Sequence, residues 1–514
     1  MNHRMNRRDF IKLAGILPLL PVSNQLFTSN PGSAQSAPLK KNVIVLVYDA
    51  LTSLNMSLYG YGRSTTPNFE RFAQQANVYN AHYATGSFTT PGTASILTGL
   101  YPWTHRAFHL HGTVIKELQN VNLFNIVGNN AFKSGYSHNL LVSTLLYQMA
   151  PDLDQFLYAR EMALMDLQYS DVLFPKDYNS SLWAESAILR TLDVRPSSLF
   201  LSHLYKGLQV VKEKKLEDQF SEDFPQGITD NNGVYYILED GIDWCIDQLE
   251  KLPQPYLVYL HLLPPHHPYW PRSEFINKFD DDYEPVEKPE HRLSNKTYSQ
   301  QFLNNQRQAY DEYLAYADDE FGRLLDHLLK NKILDRTYLI FTSDHGEMFE
   351  RGIWGHNTRT LFDPVIRVPL IISQPGQKSR QDINVPTSNA DLVPTILKLL
   401  NLPAYERLEG QVLPGFSPNE ELSNRSIFAM EMKRNHARGP ITTGSFAIIN
   451  GQYKLIHYLG EKLSLFELYD LKNDPEELEN RLRTDREIAR ELKNELDDGL
   501  REANQRITAL TAHR

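Results

Sequence analysis

Residues 42–50 read NVIVLVYDA, a run of β-branched and apolar residues that ends in an acid, Asp49. Apolar residues at every position, without alternation, mean a strand covered on both faces, which is the condition of a strand inside a parallel sheet. Open α/β sheets place their ligands outside the carboxyl ends of such strands, so the terminal acid is a candidate functional residue. Three further stretches share this character: PQPYLVYLHLLPP at 253–265, TYLIFTSDHGE at 337–347 and VPLIISQPG at 368–376. Between them lie helical patterns, PNFERFAQQAN at 67–77, DGIDWCIDQLEKL at 240–252 and DEYLAYADDEFGRLLDHLLKNK at 311–332. Strands alternating with amphipathic helices predict an α/β fold with a doubly wound, mostly parallel central sheet and helices on both faces.

Outward from that rhythm the texture changes twice. From about 140 to 229 aromatics, leucines and short helical patterns predict a helical insertion over one edge of the sheet. From 401 to 514, ITTGSFAIINGQYKLIHYL (441–459) and LSLFELYDL (463–471) read as antiparallel strands, closed by a charged amphipathic helix at 485–506. The expected organisation is therefore a catalytic α/β unit over 38–400 and a small C-terminal α+β subdomain over 401–514. The first 34 residues read as an address. Arg7 and Arg8 in RRDFIKLAG, with Phe10 and Lys12, precede a short apolar run and the small-residue stretch GSAQSAP, the pattern of a twin-arginine signal peptide. The expected location is periplasmic or extracellular.

The chain has 514 residues, 41% hydrophobic and 22% charged, with a net charge of −10. An acidic chain offers no basic surface to displace the counterions of nucleic acid. No run after the N-terminus is long and apolar enough to span a bilayer, so no integral membrane segment is expected in the mature chain. One cysteine, Cys245, excludes a disulfide framework, and its helical spacing with Ile242, Ile246 and Leu249 predicts a buried helix position.

Three motifs carry chemistry. Asp49, Asp344 and His345 stand at strand ends, where two carboxylates and an imidazole can converge on one divalent cation. In SFTTPGTASILTGLYPWTH (87–105) a hydroxyl residue, Thr89 or Thr90, precedes a predicted helix start. The positive end of that helix favours an attacking alkoxide and an anionic ester. In HLLPPHHPYWP (261–271) prolines stiffen a loop that presents His266 and His267, either of which could protonate a leaving group.

Taken in order, NVIVLVYDA, TPNFERFA, TTPGTASILTGLYP, PPHHPY, YADDEFGRLLDHL, TSDHGEMF, WGH, IRVPLII, DLVPTIL and YKLIHYL…LFELYDLKNDPEE resemble the sulfatase family of the alkaline-phosphatase superfamily over residues 42–477. The resemblance implies a metal-dependent hydrolase whose one divalent ion is held by Asp49, Asp344 and His345, with Thr89 completing the set. It places Thr89 where these enzymes carry the cysteine that becomes formylglycine, and Pro91 on that motif's proline. It also implies a leaving-group role for His266 and substrate contacts for His105 and His356. The departures are Ala50 for a second acid, and Thr52 and Thr93 for arginines, with Arg359 a candidate replacement for the lost charge.

Formylglycine cannot form from threonine. A formylglycine hydrate expels sulfate through its second hydroxyl, and threonine has none, whereas a phosphothreonine is open to hydrolysis or transfer. The expected function is thus a hydrolase or transferase acting on phosphodiesters, phosphonate esters or sulfate esters through Thr89. The alternatives are a true sulfuric ester hydrolase and a non-catalytic protein that binds an anionic glycan or lipid headgroup. The imidazole of His345 favours manganese or zinc over calcium or magnesium. With few positive charges at the site, monoanionic esters are expected to be preferred over phosphate monoesters.

Overall fold

The computed structural model describes residues 41–166, 202–231, 233–294, 297–417, 425–460 and 464–511. The signal-peptide reading of residues 1–34 lies outside the described residues. In chain order the strands of the central sheet are β1 (Asn42–Tyr48), β2 (Asn77–Tyr79), β3 (Phe132–Ser137), β4 (Gln155–Phe156), β5 (Tyr256–Leu262), β6 (Thr337–Thr342), β7 (Leu370–Ser373) and β8 (Gln381–Ile383). They stand side by side as β8-β2-β7-β6-β1-β5-β3-β4.

The central position of β1 explains its sequence. Ile44, Leu46 and Tyr48 point into one apolar core, together with Leu260 of β5 and Phe341 of β6. Val43, Val45 and Val47 point into the opposite core, with Tyr259 and Ile340. The first core is covered by α1 (Pro67–Ala73), α4 (Leu238–Gln248) and α5 (Gln300–Lys330), and the second by α2 (Thr89–Thr98), α3 (Leu140–Met149) and α6 (Leu392–Leu399). Each fully buried apolar side chain of this kind contributes about 1.5–3 kcal/mol, so a polar residue anywhere on either face of β1 would weaken the sheet. Cys245 is buried on α4, as its spacing predicts.

One strand runs against expectation. VPLIISQPG forms β7, which is antiparallel to both β6 and β2, while every other pairing in the sheet is parallel. A parallel neighbour needs a crossover that carries the chain back to the opposite end of the sheet. Residues 343–369 instead stay at the carboxyl end as short loops, a two-strand hairpin and the four-residue helix Asp363–Ile366, so the chain re-enters the sheet from that end.

The segment expected as a helical insertion is mixed. Its first part, α3, is the crossover between β3 and the edge strand β4. Met165–Asp166 then pairs with Val234–Tyr235, which pairs with Asp230–Asn231, and a helix spans Ser202–Phe220. Residues 167–201 lie outside the described residues.

The C-terminal sheet is antiparallel throughout, β9 (Ser426–Glu431), β10 (Gly444–Asn450), β11 (Tyr453–Leu459) and β12 (Ser464–Asp470) in sequential order. On one face α7 (Arg486–Thr511) lays Ala489, Leu492 and Leu496 against Phe446, Ile448 and Leu455. The other face packs Ile427, Ala447 and Ile456 against Met348, Leu361, Phe362 and Val365 of the loops beyond β6. At that join the buried ammonium of Lys454 meets Asp363 at 2.6 Å and Glu477 at 2.5 Å. The end of β9 also reaches the loop before α2, where the Met430 N–H donates to the Thr85 carbonyl at 2.9 Å and Gly86 bridges Met430.

Candidate metal centre

Asp49 follows β1 directly, and Asp344 and His345 follow β6, so parallel pairing brings the three side chains together. Their ligand-type atoms all lie within 4.8 Å of one another, fully buried. His345 Nε2 is 3.4 Å from Asp49 Oδ1 and 3.6 Å from Asp344 Oδ2. The His345 Nδ1 atom sits 2.9 Å from the Gly346 carbonyl, so it carries the proton and donates there, leaving the Nε2 lone pair aimed at the carboxylates. That tautomer is the one a metal-binding imidazole needs.

The backbone is bent to achieve this. Ala50 has φ of 60°, a left-handed conformation that costs a non-glycine residue energy, and it turns the chain sharply after Asp49. The turn is held by the Ala50 N–H donating to Asp344 Oδ1 at 3.4 Å and by the Tyr310 hydroxyl donating to the Ala50 carbonyl at 2.8 Å. Gly92 lies where a Cβ would come within 2.1 Å of the Asp344 carbonyl oxygen, so only glycine lets the first turn of α2 approach the acid.

That approach delivers Thr89, the first residue of α2. Its Oγ1 is 3.3 Å from His345 Nε2. Thr90 points elsewhere, its hydroxyl donating to the Leu110 carbonyl at 2.7 Å. Thr93 donates to Asp344 Oδ2 at 3.3 Å, and Thr52 lies buried against the Arg367 carbonyl, so both threonines are occupied inside the fold and neither position supplies charge.

Two residues in the cluster have no counterpart among the sequence candidates. His261, on β5, places Nε2 3.0 Å from Asp49 Oδ2 and 3.8 Å from Asp344 Oδ2. Asn139, the cap of α3, donates through Nδ2 to Asp49 Oδ2 at 2.6 Å and to Thr89 Oγ1 at 3.5 Å, while its Oδ1 accepts from the Leu141 N–H. Burial would raise the Asp49 carboxyl, but His266, His261 and His345 outweigh it and hold the group well below the usual carboxylate range. Burial and the Asp49 charge push Asp344 up. His345, which burial alone would lower, is lifted to about 9 by Asp344 and Asp49.

A divalent ion fits this set. Asp49 Oδ1 is buried and accepts no hydrogen bond, leaving an anionic oxygen unsatisfied where two further carboxylate and imidazole donors converge. An orphaned buried charge of this kind is costly unless a cation meets it. The donor chemistry, carboxylate oxygen with one imidazole, admits several divalent ions.

The remaining candidates separate. His266 lies beside the cluster on the loop after β5, its Nδ1 donating to the His267 carbonyl, and its ring is 5.0 Å from that of His356. The ring of His356 lies 4.3 Å from that of His345, tilted by 40°, and donates from Nδ1 to Glu347, whose carboxyl burial pushes up to about 7. Burial, then His345 and His266, hold His356 well below the ordinary range. His267 points away, with its ring against Trp354 and Tyr269. Arg359 is half-buried in the loop after His356 and has no ion-pair or hydrogen-bond partner among the described residues.

His105, expected at the substrate, sits inside the fold. It is completely buried; its Nδ1 accepts the Ala107 N–H at 3.0 Å and its Nε2 donates to Ser95 Oγ at 3.1 Å. Burial lowers it to about 3, so it is a neutral strut that ties the turn after α2 to that helix.

Residues 41–402 match the family described as Sulfatase, and residues 350–505 match the family described as N-sulphoglucosamine sulphohydrolase, C-terminal. The chain is 23% identical to the uncharacterized sulfatase YidJ of Escherichia coli K12 over 464 residues, covering 86% of this chain and 83% of that protein. It is 23% identical to the choline-sulfatase of Rhizobium meliloti over 468 residues, covering 86% and 82%. In fold it is similar to the phosphonate monoester hydrolase of Agrobacterium radiobacter, with a TM-score of 0.63 at 19% identity, covering 91% of this chain and 96% of that one.

Proposed function

The chain belongs to the sulfatase family and is a hydrolase, and from that premise we propose that it cleaves anionic phosphorus esters through Thr89, with a single divalent ion held by Asp49, Asp344, His345 and Thr89. The observation that carries the proposal is the placement of Thr89 Oγ1, 3.3 Å from His345 Nε2 at the amino end of a ten-residue helix. A bound divalent ion would supply Lewis acidity, lowering the pKa of the threonine hydroxyl and screening the ester's charge.

The residues then divide the work. The α2 amino terminus stabilises negative charge on the Thr89 oxygen, and Asn139 donates toward that oxygen and toward Asp49, fixing both. Thr89, its hydroxyl proton already lost to solvent, attacks phosphorus as the alkoxide; the bond from phosphorus to the leaving oxygen breaks, and protonated His266 gives that leaving oxygen its proton. Water then attacks the phosphothreonine, neutral His266 takes the water's proton, and the threonine oxygen departs from phosphorus. Glu347 orients His356 beside His345, closing the side of the site nearest His266. With Thr52 and Thr93 in place of cations, a monoanionic phosphodiester or phosphonate monoester suits the site better than a phosphate monoester dianion.

The test is kcat/KM for matched aryl phosphodiester, phosphonate monoester, phosphate monoester and sulfate ester after loading with manganese, zinc, calcium or magnesium. The expected order places diester and phosphonate first. The family assignment and the sulfatases among its relatives favour a second reading, a sulfuric ester hydrolase. A sulfate ester turned over fastest would establish it and remove the first. Export through Arg7 and Arg8 belongs to the same proposal, and accumulation of precursor after changing both to lysine tests it.

A further inference from the structure

Outside the metal cluster, one cation packs on the residue that precedes Thr89 and has no ion-pair partner among the described residues. Lys433 follows β9 and comes from the C-terminal sheet, 344 residues beyond Thr89 in the chain (433 − 89). Its ammonium lies 3.9 Å from the ring centroid of Phe88, the residue that caps α2 and immediately precedes Thr89. It forms no hydrogen bond or ion pair among the described residues. Its neighbour Glu431 accepts the Lys433 backbone N–H at 3.0 Å through Oε1, and its charge acts on the ammonium without pairing with it. The charge of Lys433 also acts on His356, beside His345.

The position is built rather than incidental. Met430 is joined to Thr85 and Gly86, which fixes the end of β9 against the loop that leads into Thr89. Beyond Lys433 the chain is pinned on both sides. Arg106 donates from Nε to the Ala437 carbonyl at 2.9 Å, His109 Nε2 donates to the Asn435 carbonyl at 2.8 Å, and Asn435 ties Met432 to Thr442 and Thr443. A half-buried ammonium that is partly stripped of water, packed on an aromatic face and not paired with its neighbour Glu431, gains from an anion brought to it. Burial lowers Lys433 to about 8, in keeping with an unpaired cation in such surroundings.

We propose that Lys433 binds the anionic oxygens of the substrate, supplying from the C-terminal sheet the positive charge that Thr52 and Thr93 do not. This rests on the ester-hydrolase reading of the site. It gives the C-terminal subdomain a direct part in the chemistry: the second sheet carries a cation to the nucleophile that the first sheet lacks.

The experiment compares metal-loaded wild type, Lys433→Met and Lys433→Arg. The readouts are kcat and KM on an aryl phosphodiester, Ki for inorganic phosphate and sulfate, metal content, and acetylation of Lys433 by acetic anhydride followed by mass spectrometry. Lys433→Met is expected to raise KM and the phosphate Ki by about tenfold or more with metal content unchanged, and Lys433→Arg to restore most of the loss. Inorganic phosphate should protect Lys433 from acetylation. Unchanged KM and Ki in Lys433→Met, or acetylation indifferent to phosphate, overturns the proposal while leaving the hydrolase reading in place. A wild type that turns over no ester, yet whose Lys433 is protected by phosphate, removes the hydrolase reading and keeps the anion site.

Discussion

Two clusters of buried charge lie at the carboxyl end of the central sheet, and they are completed differently. At the join with the C-terminal sheet, Asp363 and Glu477 enclose the ammonium of Lys454, with Arg367 3.5 Å from the second oxygen of Asp363. At the metal centre, Asp49 and Asp344 face imidazoles and neutral donors (Asn139, Thr93 and the Ala50 N–H), with no lysine or arginine paired to either among the described residues. The first cluster brings its own cations and is closed. The second gathers carboxylate and imidazole ligand atoms within 4.8 Å of one another without such a cation, and under the proposed function a divalent ion would complete it. Burial is the same in both, so burial alone does not mark a functional site; the missing counter-charge does.

The comparison breaks most visibly at Thr89. Thr89→Ala should reduce turnover by on the order of 10⁴-fold or more while metal content and thermal unfolding stay near wild type. Thr90→Ala should leave most of the activity, because its hydroxyl serves only the Leu110 carbonyl. Equal losses in the two variants would show that the nucleophile lies elsewhere.

Lys454→Met probes the closed cluster. Removing its ammonium strands two buried carboxylates and should destabilise the protein by about 3–5 kcal/mol in chemical denaturation. Chelation should do the reverse, abolishing turnover with a smaller change in unfolding, since Asp49 and Asp344 stand at the ends of strands that the paired sheet already fixes. A Lys454→Met protein as stable as wild type would falsify the distinction between the clusters.

His261→Gln should weaken metal affinity by about 10–100-fold, because it removes the imidazole that orients Asp49. Competition with a metallochromic chelator measures this, and an unaltered affinity would reduce His261 to a packing residue. The smallest effect is expected at His105. His105→Gln should cost about 1–2 kcal/mol of stability, leaving KM for the ester unchanged. A raised KM without loss of stability would return His105 to the substrate site.

What the sequence made legible follows from how local each signal is. Asp49, Asp344 and His345 end runs of apolar residues, where a polar side chain stands out, and the same runs announce the parallel sheet. His261 lies one position inside such a run, between Leu260 and Leu262, and reads as a strand residue until β1 is laid beside it. Asn139 reads as an ordinary helix cap, which it is; its second task appears only when Asp49 arrives from 90 residues away. Lys433 carries no local signal at all. The direction of β7 was hidden for a related reason, because an apolar tetrad has no polarity of its own and the connecting loops decide it. The burial of His105 was hidden because a histidine in a motif and a histidine in a core have the same letter.

The place of β1 also bears on how the chain is made. Its hydrogen-bonding neighbours are β5 and β6, and Asn42 must find Tyr256 and Thr337, 214 and 295 residues later. At ribosomal speeds of about 5–20 residues per second, this strand with its unbroken apolar run waits roughly 15–60 s after synthesis for its second partner. During that interval at least one of its edges is unpaired and hydrophobic, the kind of segment that seeds aggregation. Slowing translation between the codons for β1 and β6, or depriving the cell of holding chaperones, should therefore lower soluble yield more than any substitution in the C-terminal sheet, whose four strands are consecutive and can pair as they emerge.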